Sequence, residues 1–154
     1  MEIMILEARN FGPFIFDITA KSKAMRRQKR IWAYAEVLKI LGPNFISEPV
    51  EPEFKMPSCT FDPKNSEQDV DEVLAKHKSR FEALYQRALE RYEKELEIFN
   101  RGMSLLERVK TEGAPTALAD AEDGLVVESF YRMMLDGFFT ETDEHVHTWE
   151  SASD

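Results

Sequence analysis

Side chains that could coordinate a metal ion lie close together near the end of the chain. Asp143, His145 and His147 alternate along the sequence. Imidazole and carboxylate are common metal ligands, and alternate residues share a face when the backbone is extended. A small metal-dependent enzyme using these three residues is therefore one hypothesis. Because two histidines without an identifiable third ligand make an incomplete site, we predict that the protein binds no cofactor.

Cys59 and His77 are residue types that can form a nucleophile and its base. Nothing around Cys59 predicts a helix N-terminus that would lower the thiol pKa, and His77 falls near the apolar stripe of a predicted helix. Cys59 is the only cysteine, which excludes an intramolecular disulfide and a multi-cysteine zinc site. The six glycines are scattered singly and form no phosphate loop. The sequence therefore predicts a protein that is not an enzyme.

Basic residues predict a charged face on the first helix. Lys23, Arg26, Arg27 and Arg30 follow one another at helical spacing and share a side of that helix. Such a face could hold nucleic-acid phosphates, so binding of nucleic acid through residues 21–30 is one hypothesis. The net charge of −9 opposes it. The alternative is that this face receives an acidic segment of the same chain or of a second copy.

The acidic charge is concentrated near the end of the sequence. Residues 113–154 contain ten acidic side chains and one basic side chain. Within this segment, Glu141, Asp143 and Glu144 are our candidate partner-binding carboxylates. Opposite charges at the two ends of the chain predict a charged partner.

The spacing of apolar residues predicts a mainly α, α+β fold with a β-hairpin packed on a helical bundle or a long antiparallel helical hairpin. The hairpin strands are apolar at nearly every position, which predicts that both of their faces are covered. The predicted domain, 1–139, contains a hairpin (2–19), a helix (20–41), a proline-rich strap (42–66), a long helix (67–112) and a C-terminal helix (117–139). Thr19 or Ser22 caps the first helix, and Gly42 with Pro43 ends it. Residues 140–154 are predicted to be a frayed acidic tail.

The order of hairpin, following helix and acidic end resembles the layout of some phage tail assembly chaperones. The resemblance covers layout only, and it implies a role in assembling other proteins. From the residues themselves, we expect a protein-binding protein that acts as an assembly factor, an adaptor or an acidic inhibitor. Its partner would be another protein, basic or nucleic-acid-binding, or a second copy of this chain forming a homo-oligomer or coiled coil. We expect a cytoplasmic protein with no signal peptide and no membrane partner.

Overall fold

The structure is a computed structural model that describes residues 1–54, 70–135 and 137–146. It contains β1 (Glu2–Ala8), β2 (Phe11–Asp17), α1 (Lys23–Phe45), α2 (Val70–Glu112), α3 (Ala114–Ala117), α4 (Ala121–Leu135) and β3 (Thr140–His145). This mainly helical α+β fold, with its N-terminal hairpin, confirms the predicted fold class. The chain divides into two units, one formed by Met1–Ser47 with Ile98–Asp154 and the other by Glu48–Glu97.

The sheet of the first unit is antiparallel, with the strand order β2-β1-β3. Met4 in the central strand pairs with Phe16 on one side and with Asp143 on the other. Paired residues of an antiparallel sheet point to the same face, so the register assigns every side chain to a face. Met4 and Leu6 are buried on the inner face, which packs on the helices.

The third strand corrects the prediction that residues 140–154 form a frayed tail. Residues 140–145 are a strand that pairs with β1 over its whole length, from Thr140 opposite Glu7 to His145 opposite Glu2. Three of the six residues of β3 are acidic, and acidic side chains are depleted in strands. The strand therefore depends on pairing with β1 and on contacts from α1. Residues 147–154 lie outside the described part of the chain.

Helix α1 begins at Lys23, three residues after the predicted start at 20, and ends later than predicted. Ser22 is its N-cap, and the Ser22 side chain accepts a hydrogen bond of 3.1 Å from the Met25 backbone N–H. Gly42 and Pro43 do not end the helix, which continues to Phe45. The Gly42 carbonyl accepts a hydrogen bond from the Ile46 N–H. Phe45 packs against Phe138, with 4.8 Å between the ring centroids, and this contact holds the additional turn.

The core of the first unit lies between the sheet, α1, the end of α2 and α4. The predicted apolar face of α1 is buried, and Tyr34 is buried with it at 2% exposure. Phe130 of α4 is fully buried at the centre of this core. The predicted helix over 117–139 is shorter in the structure, because α3 ends at Ala117 and α4 begins at Ala121. The Asp120 carboxylate accepts a hydrogen bond of 2.8 Å from the Glu122 N–H at the start of α4.

The second unit comprises the strap residues 48–54 and the part of α2 up to Glu97. Phe54 contacts Tyr85, with 5.4 Å between the ring centroids. The remainder of the predicted strap, 55–66, lies outside the described residues. Helix α2 spans Val70–Glu112 and ends as predicted, and its predicted start at 67 lies outside the described residues. None of the helices in the described ranges is both long enough and apolar enough to cross a membrane.

Candidate protein-binding surface

The acidic side chains of the sheet divide between its two faces. The register places Glu2, Glu141 and Asp143 on the inner face with Met4 and Leu6. It places Glu7, Asp17 and Glu144 on the outer face. The three strands contain no lysine or arginine. The two sets of carboxylates therefore differ in whether they contact basic side chains of the helices.

The inner carboxylates are neutralised by arginines of α1. Arg30 forms ion pairs with Asp143 and with Glu141, the latter at 3.6 Å between Nη1 and Oε1. The Asp143 carboxylate raises the pKa of Arg30 by accepting its hydrogen bond. Arg26 Nε lies 2.8 Å from Glu2 Oε2. The predicted pairing of the basic face with the acidic segment is thus present within the chain for Arg30.

The other two candidate basic residues differ from each other. Arg27 contacts Glu128 of α4, at 3.5 Å between Nη2 and Oε1. Lys23 makes no ion pair with a carboxylate of the described residues. Three of the four predicted basic side chains are therefore engaged inside the first unit. Arg30 is partly covered by these contacts, whereas Lys23 and Arg27 remain exposed on the predicted phosphate-binding face.

Tyr34 connects the charged residues of the inner face to the core. Its hydroxyl donates a hydrogen bond to Glu141, and its ring stacks on Tyr131 with 4.3 Å between centroids. The Arg132 guanidinium lies over the Tyr34 ring, with its Cζ 5.6 Å from the ring centroid. Its Nη2 lies 3.5 Å from the Tyr34 hydroxyl oxygen. Burial raises the pKa of Tyr34, and the hydrogen bond to Glu141 raises it further. The hydroxyl therefore stays protonated and serves as a fixed donor for β3.

The outer sheet face carries an apolar centre. Ile3 pairs with Asp17 and Glu144, and Ile5 pairs with Ile15 and Thr142. Ile15 on the edge strand is 59% exposed. Met1 and Val146, joined by a backbone hydrogen bond of 2.7 Å, continue the same alternation and are exposed as well. We define the outer sheet face by its apolar residues and its acidic residues, which are Met1, Ile3, Ile5, Ile15, Val146, Glu7, Asp17 and Glu144.

The acidic residues of the outer sheet face are turned away from the α1 arginines. Glu7 and Glu144 form no ion pair with any residue in the described ranges. The Thr19 hydroxyl and the Thr19 backbone N–H lower the pKa of Asp17 by hydrogen bonding, and Lys29 lowers it further. The N–H donates to Asp17 Oδ1 at 2.9 Å. The outer sheet face therefore has an apolar centre and an acidic border.

This face differs from the prediction that both faces of the hairpin are covered. The inner face is covered by helices, whereas Ile15 is more than half exposed. Sequence reasoning missed Ile3, Ile5 and Ile15 as candidate site residues because it interpreted a continuous apolar run as two buried faces. One signal in the sequence could have indicated an uncovered face. An acidic residue flanks the apolar run on each strand, Glu7 on β1 and Asp17 on β2.

The predicted metal and nucleophile residues are not brought together by the described part of the chain. Asp143 pairs with Arg30, and His147 lies outside the described residues. Among residues 1–54, 70–135 and 137–146, no group of three or more potential ligands could hold a metal ion. Cys59 also lies outside the described residues, and His77 is half-buried on α2.

A cleft of about 430 Å³ lies between the start of α1 and the segment that joins α3 to α4. Its lining is mostly apolar and includes Met25, Ile31, Leu118 and Leu125. Arg27 is the one ionisable side chain among the described residues that line it. A cleft of this composition lacks the acid and base pair that proton-transfer catalysis needs.

Comparisons of the chain with protein-family models, with curated proteins and with solved structures gave no match. The function therefore has to be argued from the geometry of the two sheet faces.

Proposed function

We propose that this chain is a non-enzymatic protein-binding protein that docks a partner on its outer sheet face. The observation that carries the proposal is Ile15, an isoleucine 59% exposed beside Ile5 on the outer sheet face. Its neighbours Ile3 and Ile5 extend the apolar area, and Met1 and Val146 extend it further. Contiguous exposed apolar area with a polar border is typical of protein-interaction sites.

The acidic border specifies the chemistry of the partner. Glu7, Asp17 and Glu144 surround the apolar centre, and the strands contribute no basic side chain. A partner that places lysines or arginines around an apolar contact complements this pattern. Nucleic-acid-binding proteins carry such basic surfaces, so an acidic inhibitor or an assembly factor for a basic protein fits the proposal best.

The partner would contact the face of the sheet and not extend its edges. On edge strand β2, Pro13 lacks a backbone N–H, and the pairing of β2 with β1 is irregular between Leu6 and Ala8. On edge strand β3, every residue from Thr140 to His145 is polar or charged. Both features disfavour addition of a further strand. Side-chain contacts on the outer sheet face are therefore the basis of binding.

The experiment compares two isoleucines of equal exposure. Ile15→Lys places a charge in the centre of the outer sheet face, whereas Ile40→Lys makes the same change on α1, where the isoleucine is 56% exposed. Each tagged protein is used to capture partners from a lysate of the source organism, with quantification by mass spectrometry. We expect a basic protein that is retained by the unchanged protein and by Ile40→Lys, and that is lost with Ile15→Lys.

Salt dependence and charge reversal test the acidic border separately. The captured protein should elute as the salt concentration rises, because exposed charges are screened. Glu144→Lys should weaken its retention in low salt. Equal retention of every captured protein by the unchanged chain and by Ile15→Lys, with both chains folded by circular dichroism, would overturn the proposal.

A further inference from the structure

The second unit contains an aromatic stripe that is only partly covered. Half-buried side chains recur along α2 every three or four residues, which is the spacing of one helical face. We define the α2 stripe as Val73, His77, Phe81, Tyr85, Ala88, Tyr92 and Leu96. Between Glu72 and Glu97, no side chain of α2 is buried.

The described strap residues cover little of this stripe. Phe54 contacts Tyr85 and is itself 42% exposed, and Val50 is 87% exposed. The described part of the second unit, 48–54 with 72–97, contains no buried side chain. An amphipathic helix is stabilised chiefly by burying its apolar face. A second helix packed on the α2 stripe would supply the missing burial.

The distribution of charge along α2 indicates which helix could pack on the α2 stripe. Residues 76–80 contain Lys76, Lys78 and Arg80 and no acidic residue, whereas residues 90–97 contain four glutamates and two basic residues. Two copies of α2 in antiparallel orientation would place the basic part of each against the acidic part of the other. Parallel copies would place like charges together, which is unfavourable.

We propose that the α2 stripe is a self-association surface on which a second copy of this chain binds in antiparallel orientation, centred near Tyr85. The midpoint between the basic and acidic parts of the helix falls beside this residue. Lys78, on the stripe side of the helix, then lies near Glu93 and Glu95 of the second copy. This inference is independent of the outer sheet face and of any partner bound there.

A charge-swap experiment tests both the surface and the orientation. Lys78→Glu should raise the dissociation constant of the dimer by about tenfold or more, because it places like charges together twice in the symmetric dimer. The double variant Lys78→Glu with Glu95→Lys should recover most of the affinity. Lys76→Glu, the same change on the opposite side of the helix, is the matched control and should dissociate like the unchanged protein. Sedimentation equilibrium in low salt measures all four constants.

Cysteine crosslinking provides an independent readout of orientation in a Cys59→Ser background. Tyr85→Cys lies at the centre of the antiparallel pair and should form a disulfide-linked dimer on oxidation. Leu74→Cys should not, because its two copies lie at opposite ends of the pair. Crosslinking through Leu74→Cys, no recovery in the charge-swap variant, or a monomeric protein at every concentration would each overturn the proposal.

Discussion

At Gly102, the backbone of α2 lies directly against the ring of Phe130 from α4. A Cβ atom at Gly102 would lie 2.4 Å from Phe130 Cγ, and two more ring atoms would lie within 2.8 Å. Phe130 is fully buried, so its ring has no space into which to move. The glycine is therefore needed for close packing of two helices, whereas the sequence showed it only as the first helix-weakening residue in a long apolar pattern.

Gly102→Ala is predicted to lower the free energy of unfolding by about 1–3 kcal/mol, because overpacking a filled core forces side chains and backbone to shift. Gly124→Ala is the matched control in α4. The nearest atom to a Cβ at Gly124 is Ile31 Cδ1 at 3.6 Å, an ordinary contact. Alanine also favours the helix by up to about 1 kcal/mol. Urea unfolding of both variants measures the difference, and equal stability would contradict the packing argument.

Strand β3 exists because of its tertiary contacts. Its sequence Thr-Glu-Thr-Asp-Glu-His has two β-branched threonines but no apolar residue, so it lacks the apolar alternation from which strands are predicted. Contacts with β1 and with α1 stabilise the extended conformation that the residues of β3 do not favour by themselves. The backbone of β1 pairs with it, and Arg30 and Tyr34 of α1 contact its inner carboxylates. Sequence reasoning connected these charges across the chain but could not derive that the acidic segment is extended.

The contact between α1 and β3 makes a pH-dependent contribution to stability. Because the pKa of Tyr34 is raised in the folded protein, unfolding above the ordinary tyrosine pKa near 10 releases a proton. Stability from this group is therefore complete below about pH 10 and decreases as the pH rises above it. The groups that face the hydroxyl are Glu141, Arg132 and Arg30.

Tyr34→Phe is predicted to be less stable than the unchanged protein at pH 8 by about 1 kcal/mol, the usual net value of one hydrogen bond. The difference should shrink as the pH rises from about 10 to about 12, because the phenylalanine variant has no proton to lose at this position. Denaturant unfolding across this range measures both effects. A constant difference over the whole range would contradict the assignment.

Over the whole molecule, the net charge of −9 conceals a division between paired and unpaired charge. Arg26, Arg27 and Arg30 are engaged with carboxylates of β1, α4 and β3. The arginines of the predicted basic face are therefore on α1 as expected, but they form ion pairs with carboxylates of the same chain. The carboxylates of the outer sheet face lie on a surface that the described residues leave open.

The chain is predicted not to retard DNA or RNA in a gel at low salt, because the arginines are paired and the overall field repels phosphates. The comparison uses Glu2→Gln with Glu128→Gln, which releases Arg26 and Arg27 from their partners. DNA or RNA should bind more strongly to that double variant than to the unchanged protein. Tight, salt-sensitive retardation by the unchanged chain would favour the nucleic-acid hypothesis instead.

Patterns within a single element were predictable, and contacts between distant elements were less so. The hairpin, the face of α1 and the long helix followed from apolar spacing and from the Ser22 cap. The extra turn to Phe45 depends on an aromatic contact with Phe138, nearly a hundred residues away in sequence. The composition of the outer sheet face depends on the strand register, because only the pairing of Ile5 with Ile15 and of Ile3 with Glu144 shows that these side chains share one face.

The central position of β1 has a consequence for synthesis of the chain on the ribosome. Its neighbour β2 follows after a short turn, whereas β3 is made about 130 residues later. Until then, one edge of an apolar strand has no partner, and unpaired edges promote aggregation. The sheet can therefore be completed only after β3 has been synthesised, and until then β1 pairs with β2 alone.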